Sequence, residues 1–437
     1  MQFENILFLL IFSVSIYFFV KNLRKIISNI NLGKEINRSD NRNLRLKNMF
    51  RVALGQSKMF DRPIAAFLHL LIYVGFVIIN IEVIEIIIDG IFGTHRFLAH
   101  VINLNLYSFL IASFEILAFL VLFACLIFLI RRNILKIKRF WSKEMTRWPK
   151  TDANLILIFE ILLMTAFILM NTSDQILQSR NVDHYFVAGS FPISSFLVPL
   201  LDSFSTNNLI LIERFTWWFH IVGILGFLNY VLISKHLHIF FAFPSTYYAN
   251  INKLGQFDNL DNVTKEVKLM LDPNADPFAN PPSDNQAANS LFGARDATDL
   301  NWVQLLNAYS CTECGRCSSV CPANQTGKLL SPRKIMMDTR DRIEVIGNSK
   351  EQDNNYLLGN YITKEELWAC TTCNACTDAC PINLDPLSII VDLRRYLVME
   401  ESAAPTELNN MFSNVENNGA PWQFPAADRL KWLDEKN

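Results

Sequence analysis

Five stretches of this chain stay apolar for long enough to cross a bilayer, and all of them end before residue 235. They are residues 3–20, 63–89, 105–130, 152–171 and 207–234. A hydrocarbon core of about 30 Å takes about 20 apolar residues in a helix, and backbone in lipid has to satisfy its own hydrogen bonds. A helical bundle is the expected outcome for this half. The 437 residues are 51% hydrophobic, yet the apolar residues thin out sharply after residue 245. That asymmetry predicts a membrane domain over 1–245 followed by a soluble part. The first stretch, "FENILFLLIFSVSIYFFV", has no basic leader or small-residue cleavage site, and Lys21, Arg24 and Lys25 follow it. It reads as a retained span, not a signal peptide.

Loop charge sets the direction of threading. Residues 21–62 carry eleven Lys/Arg and residues 131–150 carry eight, whereas loops 90–104 and 172–206 carry one each, Arg96 and Arg180. Basic residues stay on the cytoplasmic side. The N-terminus is therefore expected outside, and everything after residue 235 inside, in a bacterial cytoplasmic (inner) membrane. The segment "FPISSFLVPLL" (191–201) is too short to span and is expected to lie in the interface or cap the bundle. A net charge of −1 offers nothing to a polyanion, so no nucleic-acid partner is expected.

Of nine cysteines, eight fall between 311 and 380. They form "CTECGRCSSVCP" (Cys311, Cys314, Cys317, Cys321) and "CTTCNACTDACP" (Cys370, Cys373, Cys376, Cys380). This is the run of two-cluster ferredoxins, in which the fourth cysteine of each motif crosses to the other cluster. One [4Fe–4S] cluster is accordingly expected on Cys311, Cys314, Cys317 and Cys380, and a second on Cys370, Cys373, Cys376 and Cys321. Zinc sites use separated C-x2-C pairs, which this pattern does not repeat. No cysteine remains nearby for a third, catalytic cluster, and Cys125 inside the third span reads as packing. "SPRKIMMDTRDRIEVI" and "DPLSIIVDLRRYLVMEES" have helical periodicity, with Ser331–Pro332 and Asp385–Pro386 as their starts.

The histidines divide by depth. His95, His100 and His184 fall in the loops away from the basic side and read as surface residues. His69 lies a turn or two inside the second span and His220 near the middle of the fifth, where ionisable groups are functional by default. His220 and His238 are 18 residues apart, which is five turns and about 27 Å if the helix continues to Phe243. They would share a face but not a metal, and His236 would point away. The expected pairing is a b-type haem held by His69 and His238, with His236 as second candidate. A haem at the level of His220 would want a partner near Ile79 and Asn80, where no histidine stands. His220 is then left to a second, unusually ligated haem or to a hydrogen bond with a quinone.

Together, the five-span bundle with His69, His220 and "SKHLH" resembles the cytochrome b (gamma) subunit of respiratory nitrate reductases. It is more similar still to the membrane subunit of membrane-bound heterodisulfide reductase. The paired cysteine motifs resemble the small iron–sulfur subunit of that enzyme and a subunit of anaerobic glycerol-3-phosphate dehydrogenase. The C-terminal "VENNGAPW…DRLKWL" is similar to segments in fused iron–sulfur oxidoreductases. The resemblance implies a respiratory-chain role in which electrons pass between menaquinone, haem b, two cubanes and a partner iron–sulfur subunit with CCG motifs. This chain contains no "CCG", so substrate chemistry is expected on the partner.

The expected architecture is all-α. A five-span bundle (1–245) is followed by a polar linker (246–298) containing "DPNADPFANPPSDNQ", an α-helical ferredoxin-like domain (299–400) and a tail (401–437) as candidate docking segment. Glu82, Glu85, Glu115 and Glu213 sit where carboxylates could take up quinol protons, although each taken alone reads as a partner for its neighbours. The expected function is that of an electron-transfer subunit rather than a substrate-transforming one. Two rivals are a haem-free membrane polyferredoxin that serves other enzymes and a non-enzymatic redox sensor.

Overall fold

The computed structural model describes residues 3–273, 291–349, 353–423 and 425–434. Most of the linker stretch quoted above lies outside the described residues. Five helices are long and apolar enough to cross a membrane: α1 (Phe3–Ile30), α2 (Pro63–Phe92), α3 (Leu104–Ile134), α4 (Arg147–Ser179) and α5 (Thr206–Val231). No strand occurs among the described residues. Four of the helices outrun their apolar cores because their ends have protein to pack against. The last turns of α1 bury Ile26 and Ile30 in the same core as Leu305 and Leu306 of the cysteine-rich part. The Asn29 side-chain amide donates to the Tyr309 hydroxyl at 2.9 Å.

The fifth span departs from the expected course. Helix α5 stops at Val231, three residues short of the apolar run, and a new helix α6 spans His238–Tyr247. Between them a tight turn covers Lys235–Leu237, capped by Ser234 Oγ accepting from the His236 amide. A buried carboxylate near the start of α4 holds this break. Asp152 accepts from Tyr230 Oη at 2.6 Å and from the Lys235 amide at 3.1 Å. The second bond satisfies an amide that a continuous helix would have paired internally. The helical-phase argument that set His238 apart from His236 therefore does not hold.

Segment 191–201 caps the bundle, as one of the two expectations had it. It makes short turns at Ser194–Phe196 and Val198–Leu201. Glu115 of α3 accepts from the amides of Ile193 and Ser194 at 2.9 and 3.2 Å, and from the Ser194 hydroxyl.

The cysteine-rich part is built on α7 (Trp302–Ser310), α8 (Pro332–Asn348) and α9 (Pro386–Met399). Both sequence-read starts are present. Ser331 Oγ accepts from the Lys334 amide, and Asp385 Oδ1 accepts from the amides of Leu387 and Ser388, with proline in the first turn of each helix. Their apolar stripes bring Leu305, Ile335, Ile389 and Leu393 together, all wholly buried. At about 1.5–3 kcal/mol per such side chain, this core is what presents the two cysteine motifs on one platform. A further helix, Asp261–Leu271, lies within the stretch read as linker.

Candidate functional site

The two cysteine motifs share one backbone winding. In each, the residue before the second cysteine and the residue after it are left-handed: Glu313 (φ 54°) and Gly315 (φ 69°), then Thr372 (φ 55°) and Asn374 (φ 60°). Glycine and asparagine take this conformation easily, whereas Glu and Thr each forfeit about 1–2 kcal/mol. Repetition of that cost at equivalent places marks strain held for a purpose. A short helix follows the winding each time, Arg316–Val320 and Ala375–Asp378.

Cys311, Cys314, Cys317 and Cys380 line one cavity, with Cys376 also on its wall. Across the motifs, Cys380 is an electrostatic neighbour of Cys314, and Cys321 of Cys370. The fold thus brings the two motifs against each other, with Cys376 as well as Cys380 beside the first motif's thiols. Burial pushes the Cys311 and Cys376 thiols up to about 12 and Cys380 up to about 11. Such thiols ionise when iron supplies the compensating charge. Among the described residues, no three His, Cys, Asp or Glu side chains converge as they would around a single ion. A cubane takes its thiolates at separate corners, and Cys311, Cys314, Cys317 and Cys380 stand on the wall of one cavity. Cys311, Cys321, Cys376 and Cys380 are buried, whereas Cys373 is exposed.

Three histidines meet where the bundle joins this platform. The His69 and His238 rings are 6.4 Å apart, centroid to centroid, at 41°. His236 lies 5.4 Å from His238. Two metal–nitrogen bonds of about 2 Å and two ring radii of about 1.1 Å would place opposed imidazoles roughly 6 Å apart. The His69–His238 pair fits that requirement for a bis-histidine haem. His238 Nδ1 sits 3.0 Å from the Lys235 carbonyl, the outer bond that orients a ligating imidazole and leaves Nε2 free. Burial lowers the pKa of both His236 and His238, keeping them neutral as ligands must be. His220 stands apart. It is buried, its Nδ1 is 3.0 Å from the Leu163 carbonyl, and its ring packs on Phe167.

At the opposite end of the bundle, most of the singled-out carboxylates hold structure. Glu85 accepts from the Leu98 amide at 2.8 Å and from Tyr107 Oη at 3.2 Å. Glu115 anchors the capping segment, and Glu213 accepts from Tyr185 Oη at 2.9 Å. Glu82 is the exception, since its buried Oε2 has no hydrogen-bond partner. Arg96 is buried, not a loop charge, with Nε donating to Asp174 at 2.7 Å. His95 is also drawn inward, 3.5 Å from Asp174, with its ring tilted 39° to that of His184, while His100 and His184 stay exposed.

Residues 307–384 match the family described as "4Fe-4S dicluster domain". The chain is an iron–sulfur protein. It is 29% identical to the probable iron–sulfur-binding oxidoreductase FadF of Bacillus subtilis, over 98% of this chain and 61% of that protein. It is 26% identical to the EtfAB:quinone oxidoreductase of Syntrophomonas wolfei, over 92% of this chain and 56% of that one. A ferredoxin:CoB–CoM heterodisulfide reductase subunit of Methanosarcina mazei is 29% identical over 23% of this chain and 52% of its own length. The chain thus spans less than two thirds of the length of these relatives. No solved structure matches it.

The dicluster domain is tied to the histidine turn by residues that sequence reading passed over. Glu313, inside the first motif, accepts from Lys235 Nζ at 2.6 Å and from Arg340 Nη1 at 3.0 Å. Lys235 is the residue whose carbonyl meets His238. Arg316, also in the first motif, lines the thiol cavity and is an electrostatic neighbour of His69. Lys235 and Glu313 lie 78 positions apart. No local pattern announces such a pair.

Proposed function

We propose that this chain is a membrane electron-transfer subunit, passing electrons between menaquinone, haem b, two [4Fe–4S] clusters and a cysteine-rich partner subunit of the CCG type. The observation that carries the reading is the line of sites at the junction. The His69–His238 pair fits a haem, Arg316 and the Lys235–Glu313 bridge come next, and the cavity of Cys311, Cys314, Cys317 and Cys380 follows. The second set, Cys370, Cys373, Cys376 and Cys321, includes the exposed Cys373, which suits exchange with a docked partner. Bound haem and cubanes supply one-electron carriers. The protein holds them in sequence, keeps His236 and His238 neutral, and shields the first cluster's thiols from water.

His69 and His238 are the haem ligands in this reading, with His236 packed against them. His220 hydrogen-bonds a quinone or serves a second haem, and Glu82, which among the four carboxylates singled out has a buried oxygen without a hydrogen-bond partner, accepts quinol protons. In this reading the N-terminus is outside and the iron–sulfur domain lies on the cytoplasmic side of a bacterial inner membrane, an orientation that the basic loops support. The name of the Syntrophomonas relative, an EtfAB:quinone oxidoreductase, is in keeping with a quinone at the membrane end.

Purified full-length protein tests this directly. A b-type haem spectrum, about eight irons per chain in clusters, and reduction of both by a menaquinol analogue are expected. Cubanes without haem would instead favour a polyferredoxin. Clusters that a quinol never reduces would favour a sensor.

A further inference from the structure

Arg139 is one of eight basic residues in the stretch 131–150, and positive-inside bias alone would leave its head group in water. The structure does otherwise. The Nε and Nη1 groups of Arg139 are buried and have no hydrogen-bond partner. Among the described ion pairs none includes this residue. Its Cβ lies 3.5 Å from where a side chain on Gly315 would begin, directly against the first cysteine motif. Cys314 is the opposing charge beside it, and its other charged neighbours are the cations Arg62, Arg316 and Arg131. Arg333 fixes this placement. Wholly buried, it donates through Nη1 to the carbonyls of Arg139 (2.7 Å) and Glu313 (3.3 Å), and through Nη2 to Glu144 at 2.6 Å.

Two buried, orphaned donors on a half-buried cation are costly, and an acceptor is wanted where they point. Of those charged neighbours, Cys314 alone can accept a hydrogen bond; the cations cannot. We infer that Arg139 directs its free N–H groups at the sulfur shell of the cluster held by Cys311, Cys314, Cys317 and Cys380, and thereby raises that cluster's reduction potential. The inference rests on the two-cluster reading. Each added electron increases the negative charge on the cluster, so adjacent N–H groups and a cation favour the reduced form. Beside the second set, the Arg394 guanidinium near Cys370 is already bonded to the carbonyls of Leu367 and Cys370.

The test is a redox titration of purified full-length protein followed by electron paramagnetic resonance. In R139Q one of the two cluster midpoints should fall, so that the reduced-to-oxidised ratio at the wild-type midpoint drops about tenfold, or about 59 mV for one electron. The other midpoint should stay. R139K, which keeps the charge, should recover part of the shift. K143Q, which removes an exposed charge from the same loop, should move neither. Unchanged midpoints in R139Q, or an equal shift in K143Q, would overturn the inference. Wild-type protein without two cubane signals would instead remove the reading beneath it.

Discussion

At the scale of single residues, chemistry depends on which side chains meet, and here one reason offered from the sequence does not hold. His69 and His238 were expected together, and their rings are 6.4 Å apart. The helical phase offered for preferring His238 over His236 is absent, because α5 ends at Val231. What distinguishes His238 is its Nδ1 bond to the Lys235 carbonyl. We therefore predict that H69A and H238A each abolish the haem spectrum, whereas H236A retains it with a changed line shape; optical spectra of the three variants decide. Lys235 carries a second prediction. Its ammonium is nearly buried against Glu313. K235M leaves that carboxylate with Arg340 alone and should cost about 1–3 kcal/mol, read as a lower midpoint in thermal unfolding.

At the scale of elements, polar contacts decide how the helices and loops are fastened. Glu144 pairs with Arg333 at 2.6 Å, its side chain 9% exposed and that of Arg333 fully buried. This clamps the α3–α4 loop onto the dicluster domain. Burial works against ionisation of Glu144, but Arg333 and Ser331 outweigh it and hold the carboxyl below its usual range. A depressed carboxylate contributes stability that is present above its unfolded pKa of about 4.3 and is lost as pH falls through the lower folded value. E144Q should therefore destabilise by about 3 kcal/mol at pH 7, and the difference from wild type should shrink below about pH 4; denaturation at a series of pH values measures both. In the capping region, R96A takes the guanidinium from buried Asp174 and leaves it with His95 at 3.5 Å and the Gln178 amide at 3.2 Å. It should cost about 3–5 kcal/mol, seen as a lower melting temperature in detergent while iron content stays unchanged.

At the scale of the whole molecule, one core joins the two halves. Ile26, Ile30, Leu232, Leu237 and Phe241 from the membrane half are buried with Leu305, Leu306 and Ile343 of the dicluster half. Residues 291–434 expressed alone should consequently expose a hydrophobic face and bind an apolar dye, while the full chain should not. An isolated fragment with full near-ultraviolet dichroism and no dye binding would contradict this.

The sequence by itself determined the five spans, the all-α class, both cysteine motifs and the capped starts of α8 and α9. Each of these follows from a local rule: bilayer thickness, ligand spacing, or a side chain bonding an amide two or three residues on. Tertiary structure decided the break after Val231, the Lys235–Glu313 bridge, the burial of Arg96 and the orphaned donors of Arg139. All four depend on a polar group meeting a partner, or failing to meet one, far along the chain. Such encounters are settled by where helices dock, and no periodicity records them.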